Sequence, residues 1–537
     1  MTSLTGTALT GKGLTGKGLT GSMLIGGGEV RGTGGTLRAT DPRTGRELEP
    51  AYGMGGAAEV GRAAELAWAA FPRYRATGPE RRAAFLDAIA GGVEALGDVL
   101  VERVEAETGL PRARVVSERA RTCGQLRLFA SFVREGTWLG VRAEPALPDR
   151  TPLPRPDLRR RRIPVGPVAV FGAGNFPLAF SVAGGDTASA LAAGAPVVVK
   201  AHEAHPGTSE LVGRVIQDAV RRHGLPEGTF ALLYGDGPGL GTELVRHPRV
   251  KAVGFTGSRT AGLALVAAAA SRPEPIPVHA EMSSVNPVIV LPGALAERAA
   301  EIGRGLVASV TTGAGQLCTK PGLVFAAEGE GFDEFVAAAS AEMRKVAAAP
   351  MLTGRVRAAF TSGLDRLRGH PGVSTAALGE EDGAIAAAGR AGLFVTDEAT
   401  FLAEPALHEE VFGPVALVVR VASPARLAEI LERLDGQLTA TVHASGGDHE
   451  RARELLPLLE PLAGRIIVNG WPTGVEVGHA MVHGGPFPAT SDSRSTSVGT
   501  SAIERFLRPV CYQDVPAALL PPELTGDDPA GGLGRRP

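Results

Sequence analysis

Short apolar runs alternate with amphipathic stretches along most of this chain. β-Branched residues dominate the runs, which predict buried strands at 165–171, 196–200, 231–234 and 250–255. Apolar positions three or four residues apart predict helices at 56–72, 79–107, 115–133, 179–193 and 208–223. Strand and helix in such quick succession indicate a doubly wound parallel sheet, with its ligand at the carboxyl ends of the strands.

The same alternation returns in the second half of the chain, with strands predicted at 287–291, 415–421 and 465–469. We therefore predict two α/β domains, with a Pro- and Arg-rich arm that can pair with a segment near the C-terminus. The predicted boundaries are a low-complexity tail at 1–22, a first domain at 23–147 and 166–283, a second domain at 284–497, arms at 148–165 and 498–515, and a C-terminal tail at 516–537. We expect both tails to be mobile.

Composition narrows the classes of function open to these 537 residues. A net charge of −2 argues against a nucleic-acid or anionic-membrane surface, because such surfaces need excess Lys and Arg. Three cysteines cannot form a disulfide framework and no pair has metal-ligand spacing, so we predict a reducing compartment and no metal site. No apolar run is long enough to span a bilayer, so we expect a soluble, cytoplasmic protein without membrane or nucleic-acid partners.

Cys318 lies in an unusual setting for a core cysteine, among Gly, Gln, Thr and Lys in the segment TTGAGQLCTKPG. Small neighbours let a substrate reach the sulfur, and nearby backbone N–H groups can stabilise a thiolate or an oxyanion. The alternative is a small buried hydrophobe, and the local sequence leaves both open. We interpret Cys123 and Cys511 as buried small residues.

Two polar residues follow predicted strands. Glu281, in HAEMSSVNP, is either a general base whose pKa is raised by partial burial or a carboxylate that faces solvent. Asn175, in GAGNFP, either donates N–H groups to a developing oxyanion or caps a helix. Taken singly, each residue fits its structural alternative better.

A second group of residues suits a phosphate-bearing ligand. Lys200 ends the run PVVVK, at the edge of the sheet where a ribose or phosphate would lie. Gly257 and Ser258 fall in the turn FTGSRTAG, which opens a predicted helix whose N-terminus can hold pyrophosphate. Glu410 follows in EEVFGP, which by itself is an ordinary loop motif.

Six blocks occur together on this chain: GAGNFP, VVVKAHE, FTGSRTAG, AEMSSVNP, GQLCTKPG and EEVFGP. With these blocks in this order, the sequence strongly resembles the aldehyde dehydrogenase superfamily across residues 23–515. The resemblance implies a doubly wound parallel-sheet cofactor domain that binds NAD(P), a second α/β domain that is catalytic, and small oligomerisation arms. It also implies a homodimer or homotetramer.

The resemblance gives each candidate a role. Cys318 would be the nucleophile and Glu281 the base that activates the deacylating water, while Asn175 and the Cys318 backbone N–H would form the oxyanion hole. The cofactor would be held by Lys200 at the adenosine ribose, Gly257 and Ser258 at the pyrophosphate, Glu410 at the nicotinamide ribose, and Phe412 beside the nicotinamide.

Other blocks are similar to one branch of the family. Residues 173–174 are Ala-Gly where Pro-Trp is usual, and Met-Ser-Ser follows Glu281 in place of Leu-Gly-Gly. The blocks NGWPTGVEV, HGGPFPATSDSR and RFLRPVCYQDVP look like those of 2,5-dioxopentanoate (α-ketoglutarate semialdehyde) dehydrogenases. A related branch, which the chain resembles less, oxidises long-chain fatty aldehydes with NADP.

The substrate of the closer branch carries a carboxylate, which needs a cation if it is buried. The segment RARTCGQLRLF resembles the helix that lines the substrate tunnel in this family, and it places Arg121 where many members have an apolar residue. We predict that Arg121 binds the carboxylate together with Gln125, and that Phe176 also contacts the substrate. An exposed helix arginine is the alternative.

The sequence leaves the choice between NAD and NADP open. Glu203 can accept hydrogen bonds from a ribose 2′-hydroxyl and repel a 2′-phosphate, whereas Lys200 and His202 can bind that phosphate if Glu203 turns away. The predicted function is NAD(P)-dependent oxidation of 2,5-dioxopentanoate to 2-oxoglutarate. The alternatives are a fatty-aldehyde dehydrogenase, an acyl-CoA-forming enzyme, which Glu281 disfavours, and a non-catalytic homologue.

Overall fold

The computed structural model describes residues 18–525, so the outer parts of both predicted tails, 1–17 and 526–537, lie outside the described residues. The strands are β1 (Met23–Ile25), β2 (Gly28–Val30), β3 (Thr36–Thr40), β4 (Glu47–Gly53), β5 (Arg142–Glu144), β6 (Leu158–Pro164), β7 (Val168–Phe171), β8 (Val197–Lys200), β9 (Phe230–Leu233), β10 (Ala252–Thr256), β11 (Val278–Glu281), β12 (Val288–Val290), β13 (Leu323–Ala327), β14 (Ala349–Pro350), β15 (Ser374–Leu378), β16 (Ala388–Gly389), β17 (Gly392–Asp397), β18 (Val415–Val421), β19 (Gln437–His443), β20 (Ala463–Val468) and β21 (Leu507–Gln513). The α-helices are α1 (Ala57–Arg75), α2 (Pro79–Ala95), α3 (Gly97–Thr108), α4 (Arg112–Glu135), α5 (Gly185–Ala193), α6 (Pro206–Arg222), α7 (Thr242–Arg246), α8 (Arg259–Ala270), α9 (Pro292–Thr311), α10 (Phe332–Met343), α11 (Gly354–Gly369), α12 (Glu398–Ala403), α13 (Leu427–Glu432) and α14 (His449–Leu459).

The first domain is built on a seven-stranded sheet in the order β11-β10-β7-β8-β9-β1-β2. Strands β7 to β11 pair in parallel, and their apolar side chains are buried on both faces because helices cover the sheet on each side. The hairpin β1–β2 extends the sheet antiparallel to β9. The predicted doubly wound sheet is confirmed, and Lys200 and Glu281 both lie at the carboxyl ends of its parallel strands.

The second domain has its own seven-stranded sheet, in the order β15-β17-β18-β13-β12-β19-β20. All neighbours in it pair in parallel except β15, which runs antiparallel to β17. The predicted second α/β domain is therefore confirmed. Residues 489–491 of this domain reach back to the first sheet: Met282 N donates to Ala489 O at 2.8 Å, and Ser491 N donates to Ala280 O at 2.9 Å.

A third sheet, in the order β21-β6-β5, projects from the two domains. Strands β6 and β21 pair antiparallel along their whole length, from Leu158 with Gln513 to Pro164 with Leu507. The predicted pairing of the two arms is thus present. Strand β21 lies at the edge of this sheet.

The described parts of the predicted tails are packed rather than free. Leu19 and Leu524 are both buried, because each side chain finds an apolar surface of the folded protein. The backbone N–H of Gly21 donates to the buried Glu210 carboxylate at 3.0 Å, and Arg161 pairs with Glu523 at 2.8 Å. Ordered structure thus extends further toward both ends than the composition predicted.

Two predicted helices differ from the observed ones. The stretch 79–107 is two helices, because Gly97 adopts a positive φ of 55° that ends α2 and starts α3. The helix predicted at 179–193 begins only at Gly185, because the preceding residues form a tight turn in which a side chain at Gly184 would lie 2.5 Å from Ala179 O. Among residues 18–525, no helix is both long and apolar enough to cross a membrane.

Candidate active site

The three predicted catalytic residues come from different segments and meet where the two sheets face each other. Glu281 ends β11, Asn175 lies in the turn after β7, and Cys318 lies between α9 and β13. The Cys318 Sγ lies 3.4 Å from His483 Nε2, which in turn lies 3.0 Å from Glu281 Oε1. One ligand atom from each of Glu281, Cys318 and His483 lies within 4.8 Å of the other two.

His483 is the member of this group that the sequence reasoning missed. It is buried, as is Glu281, whereas Cys318 is half-buried and therefore open to a substrate. A signal was present, since His483 begins the block HGGPFPATSDSR, which served only as a marker of one branch. A histidine among small residues in that block was a candidate for contact with the cysteine.

The carboxylate of Glu281 does not face solvent, and that alternative is wrong because only 4% of the residue is exposed. Burial pushes the pKa of Glu281 up, but the charge and hydrogen bond of His483 and the hydrogen bond from Ser497 Oγ, at 2.8 Å, outweigh it and leave the pKa lowered. The expected raised pKa is therefore corrected. An ionised Glu281 can accept a proton from water.

The thiol of Cys318 has the opposite electrostatic setting. Burial and the nearby negative charge of Glu281 raise the pKa of Cys318 well above its usual range, while the positive charge of Arg121 acts to lower it. The resting sulfur is therefore protonated, and it can act as a nucleophile only if it loses that proton. Of the other cysteines, Cys123 is buried as predicted, but Cys511 is exposed because it lies on the edge strand β21.

Asn175 does not cap a helix, since α5 begins ten residues later and is capped by Gly184. Its side-chain Nδ2 donates to Gln316 O at 3.0 Å, which ties the turn after β7 to the loop that carries Cys318. The same loop is held from the other side by Asn286, whose Nδ2 donates to Cys318 O at 2.8 Å. An amide nitrogen carries two hydrogens, so one hydrogen of Asn175 Nδ2 is not used by this bond.

The turn after β7 is fixed by a buried carboxylate on α4. Glu118 Oε1 accepts the backbone N–H groups of Leu178 and Ala179 at 2.9 and 3.0 Å, and its Oε2 lies 3.3 Å from Arg114. This contact joins α4 directly to the turn that carries Asn175.

Helix α4 also presents the predicted substrate anchor. Arg121 is not an exposed helix arginine: its guanidinium lies over the ring of Phe180 at 5.2 Å, and both terminal nitrogens are buried without a hydrogen-bond partner among residues 18–525. Gln125, one turn further along, is buried with both amide atoms equally unpartnered. Phe176 packs edge-on against Phe180 at 5.3 Å. Unpaired polar atoms on one helix face beside aromatic rings suit a small polar ligand.

The predicted adenosine end of a cofactor site contains a charged cluster. Lys200 is buried and its Nζ lies 3.4 Å from Glu203, whose other oxygen lies 3.5 Å from Arg355. Burial acts to raise the pKa of Glu203, but the positive charges of its neighbours, above all His202 and Lys200, hold it to about 2. Glu203 therefore faces two cations rather than turning away from Lys200.

Of the remaining cofactor candidates, Gly257 and Ser258 lie on an open surface, whereas Glu410 and Phe412 are partly buried. Ser258 caps α8, with Oγ accepting from Ala261 N at 3.3 Å, and both Gly257 and Ser258 are exposed, so the first N–H groups of this helix are accessible to a phosphate. Glu410 accepts a hydrogen bond from Ser283 Oγ, and burial raises its pKa. Phe412, in the same loop, is partly exposed. These residues fit a dinucleotide.

Comparison with known proteins agrees with this geometry. The family model described as "Aldehyde dehydrogenase family" matches residues 30–487. The chain is 56% identical to alpha-ketoglutaric semialdehyde dehydrogenase 2 of Azospirillum brasilense, over 94% of this chain and 96% of that protein. It is 51% identical to alpha-ketoglutaric semialdehyde dehydrogenase of Acinetobacter baylyi, over 88% and 89% of the two chains.

The fold has counterparts among solved structures. A structure of 3,6-anhydro-L-galactose dehydrogenase in complex with NAP superposes with a TM-score of 0.78, covering 92% of this chain and 99% of that one, at 22% identity. At this identity the likeness concerns the fold alone. Together with the family model and the two relatives, it leads to one conclusion: this chain belongs to the aldehyde dehydrogenase family.

Proposed function

We propose that this protein oxidises 2,5-dioxopentanoate to 2-oxoglutarate with NAD(P)+. The observation that supports this substrate most directly is on one face of α4: the two terminal nitrogens of Arg121 are buried without a hydrogen-bond partner among residues 18–525, as are both amide atoms of Gln125. Only the Arg121 Nε is engaged, donating to Val475 O at 3.4 Å. The two relatives described above carry the name of an enzyme that acts on α-ketoglutarate semialdehyde, which is the same compound.

Arg121 is suited to a carboxylate because its two buried terminal nitrogens have no hydrogen-bond acceptor among residues 18–525. Burial lowers the pKa of Arg121, which shows that its surroundings disfavour the charge. An incoming carboxylate supplies the missing negative charge and accepts two parallel hydrogen bonds from the guanidinium. The positive charge of Arg121 also acts on the Cys318 thiol, so anchor and nucleophile belong to one site. A hydrocarbon chain would leave the two terminal nitrogens of Arg121 without an acceptor, and a fatty aldehyde is therefore a poorer fit.

The chemistry begins at Cys318. Its thiol loses a proton as the sulfur attacks the aldehyde carbon, and the oxyanion that forms is stabilised by the Asn175 amide and the Cys318 backbone N–H. Glu281 lies next to the sulfur and is ionised, so it can take up the thiol proton. The hydrogen bond to Gln316 O keeps the Asn175 amide at this position.

Lys200, Gly257, Ser258, Glu410 and Phe412 would hold NAD(P)+, which when bound would supply the hydride acceptor for the oxidation. Glu281 releases the thiol proton to the solvent and, ionised again, removes a proton from the water that hydrolyses the thioester. That second proton returns to the sulfur as the thiolate leaves. His483 and Ser497 hydrogen-bond the two carboxylate oxygens of Glu281 and orient it for this step. The acid product leaves and the Cys318 thiol is restored.

The test is kcat/KM for 2,5-dioxopentanoate and for a long-chain aldehyde, each with NAD and with NADP. We expect a preference of about 100-fold or more for the dioxo acid, equivalent to about 2.7 kcal/mol of transition-state discrimination. Arg121→Ala should remove most of that preference by raising KM for the dioxo acid alone. Equal losses for both aldehydes would contradict the anchor.

A matched control lies on the same helix. Arg127 is exposed and pairs with Glu94 at 2.6 Å on the outer surface of α4. Arg127→Ala removes the same kind of side chain from the same helix without touching the tunnel face. It should leave the ratio of the two kcat/KM values unchanged.

We further propose that the protein is a homo-oligomer assembled through the β21-β6-β5 sheet. Strand β21 is an edge strand, so its outer backbone groups are free to pair with a second copy of the chain. Light scattering on the purified protein should give a multiple of the mass of one chain. A monomer at micromolar concentration would contradict this assembly.

A further inference from the structure

We propose that Glu281, Cys318 and His483 form a binding site for Zn²⁺ that reversibly blocks the enzyme. Metal-ligand spacing in the sequence gave no such site, because the cysteine and the histidine are 165 residues apart. The fold brings together one sulfur, one imidazole nitrogen and one carboxylate oxygen, all within 4.8 Å. Three ligands with an open fourth position are the arrangement that zinc adopts in catalytic sites.

The separations agree with a single tetrahedral ion. With Zn–S near 2.3 Å and Zn–N near 2.0 Å, the two ligand atoms of a tetrahedral site lie about 3.5 Å apart, and nitrogen and oxygen lie about 3.3 Å apart. The observed distances are 3.4 Å from Cys318 Sγ to His483 Nε2 and 3.0 Å from His483 Nε2 to Glu281 Oε1. These two separations therefore differ from the tetrahedral values by only tenths of an ångström, and the third pair, Cys318 Sγ and the Glu281 carboxylate, lies within 4.8 Å.

The protonation pattern also favours a cation at this point. His483 Nε2 faces two other atoms that act as ligands, yet one nitrogen can carry only one hydrogen. Its Nδ1 is buried and has no partner among residues 18–525, so it can carry the ring hydrogen and leave the Nε2 lone pair for a metal. The thiolate of Cys318 and the carboxylate of Glu281 together balance the charge of a divalent ion.

The ligand set selects the metal. Thiolate with imidazole prefers borderline-soft ions such as Zn²⁺, whereas Mg²⁺ and Ca²⁺ prefer oxygen ligands alone. On binding, the Cys318 S–H bond breaks, any hydrogen on His483 Nε2 also leaves, the released protons pass to the solvent, and metal–sulfur and metal–nitrogen bonds form with no change of oxidation state. The sulfur lone pair is then engaged, and Glu281 no longer has a free oxygen pointing at the water. Binding therefore blocks both attack and deacylation until a chelator removes the ion.

The test uses the full-length enzyme, freed of metal with a chelator, without aldehyde or dinucleotide. Titration with Co²⁺ should produce the near-ultraviolet sulfur-to-cobalt absorption and the visible bands of a tetrahedral ion, saturating at one ion per chain, and Zn²⁺ should displace it. Loss of a residue that only supports a metal ligand costs ~10–100-fold in affinity, so His483→Phe, which removes a ligand, should weaken Zn²⁺ binding by at least ~100-fold.

Cys511→Ser is the matched control, because Cys511 is the exposed cysteine and the ordinary target of thiol-seeking ions. It should leave affinity and stoichiometry unchanged. Loss of the cobalt spectrum in this variant, or Zn²⁺ affinity within about threefold of the parent in His483→Phe, would overturn the proposal.

A second measurement covers the case in which His483→Phe does not fold. In the unaltered enzyme, Zn²⁺ should protect Cys318 from alkylation by iodoacetamide, with the modified peptide identified by mass, and should not change the alkylation rate of Cys511. Alkylation of Cys318 at an unchanged rate would overturn the site. Only the predicted inhibition rests on the proposed oxidation of an aldehyde, because Zn²⁺ binding and the protection of Cys318 are measured without substrate. Failure of the Zn²⁺ site is therefore distinguishable from failure of the proposed function.

Discussion

Replacing Glu118 should damage stability and catalysis together, although its side chain touches neither substrate nor sulfur. Only 3% of the residue is exposed, and its Oε1 accepts two backbone N–H groups of the turn that carries Asn175. Alanine would leave both donors buried and unpaired, at about 1–3 kcal/mol each, so we expect Glu118→Ala to lower the free energy of unfolding by about 4 kcal/mol. Glutamine keeps an oxygen acceptor without the charge and should cost about 2 kcal/mol.

The effect on rate follows from the position of Asn175, three residues before Leu178. A displacement of about 1 Å at an oxyanion donor costs on the order of 100-fold in rate, so kcat/KM should fall by about that factor in Glu118→Ala and far less in Glu118→Gln. Urea unfolding at fixed protein concentration gives the stability, and absorbance of the reduced cofactor gives the rate. Glu94→Ala, on the exposed face of the adjoining helix α2, should cost no more than about 1 kcal/mol. A Glu118→Ala enzyme that is destabilised but fully active would refute the link between this carboxylate and Asn175.

Three further changes test other parts of the structure. Asn175→Ala should lower kcat by about 10²–10³-fold with little change in KM, because it removes one oxyanion donor; an unchanged kcat in steady-state assays would contradict that role. Glu203→Gln should shift the ratio of kcat/KM with NADP to kcat/KM with NAD by about tenfold in favour of NADP, because Lys200 and Arg355 would then face a 2′-phosphate without an opposing charge. The control Arg355→Gln should shift the same ratio in favour of NAD. Burial lowers the pKa of His443 to about 4, so below about pH 6.5 the unfolded chain binds a proton that the native protein does not bind. Between pH 6.5 and pH 4 the free energy of unfolding of the parent should therefore fall by about 3 kcal/mol more than that of His443→Phe. Parallel pH profiles of urea unfolding for the two proteins would contradict this.

The sequence predicted the strands well where apolar runs are short and β-branched, because a parallel strand buried on both faces leaves a continuous signal. Strand β18 was predicted with its observed bounds, and β7 to β10 within three residues at either end. The start of α5 was wrong because the small apolar residues before Gly185 suit a helix locally, whereas backbone bonds to Glu118, 60 residues away, hold Leu178 in a turn.

The candidate site was predictable as far as short motifs carry it. Cys318, Glu281 and Asn175 each lie in a short block whose residue types indicate a possible chemical role. His483 was missed because its contacts to the sulfur and the carboxylate exist only after the chain folds, across 165 and 202 residues. The lowered pKa of Glu281 depends on that same long-range contact, so burial alone gave the wrong direction.

The return of residues 489–491 to the first sheet bears on how the protein is made. Ser491 Oγ accepts a hydrogen bond from the backbone N–H of Ala280, which lies 211 residues earlier in the chain. During synthesis, the outer edge of β11 therefore stays unpaired until nearly the whole second domain has left the ribosome. An uncovered strand edge is a template for pairing with other chains. Truncation before Ala489 should therefore yield a first domain that aggregates during synthesis. The segment 483–497 both covers that strand edge and supplies His483 and Ser497, which hydrogen-bond Glu281.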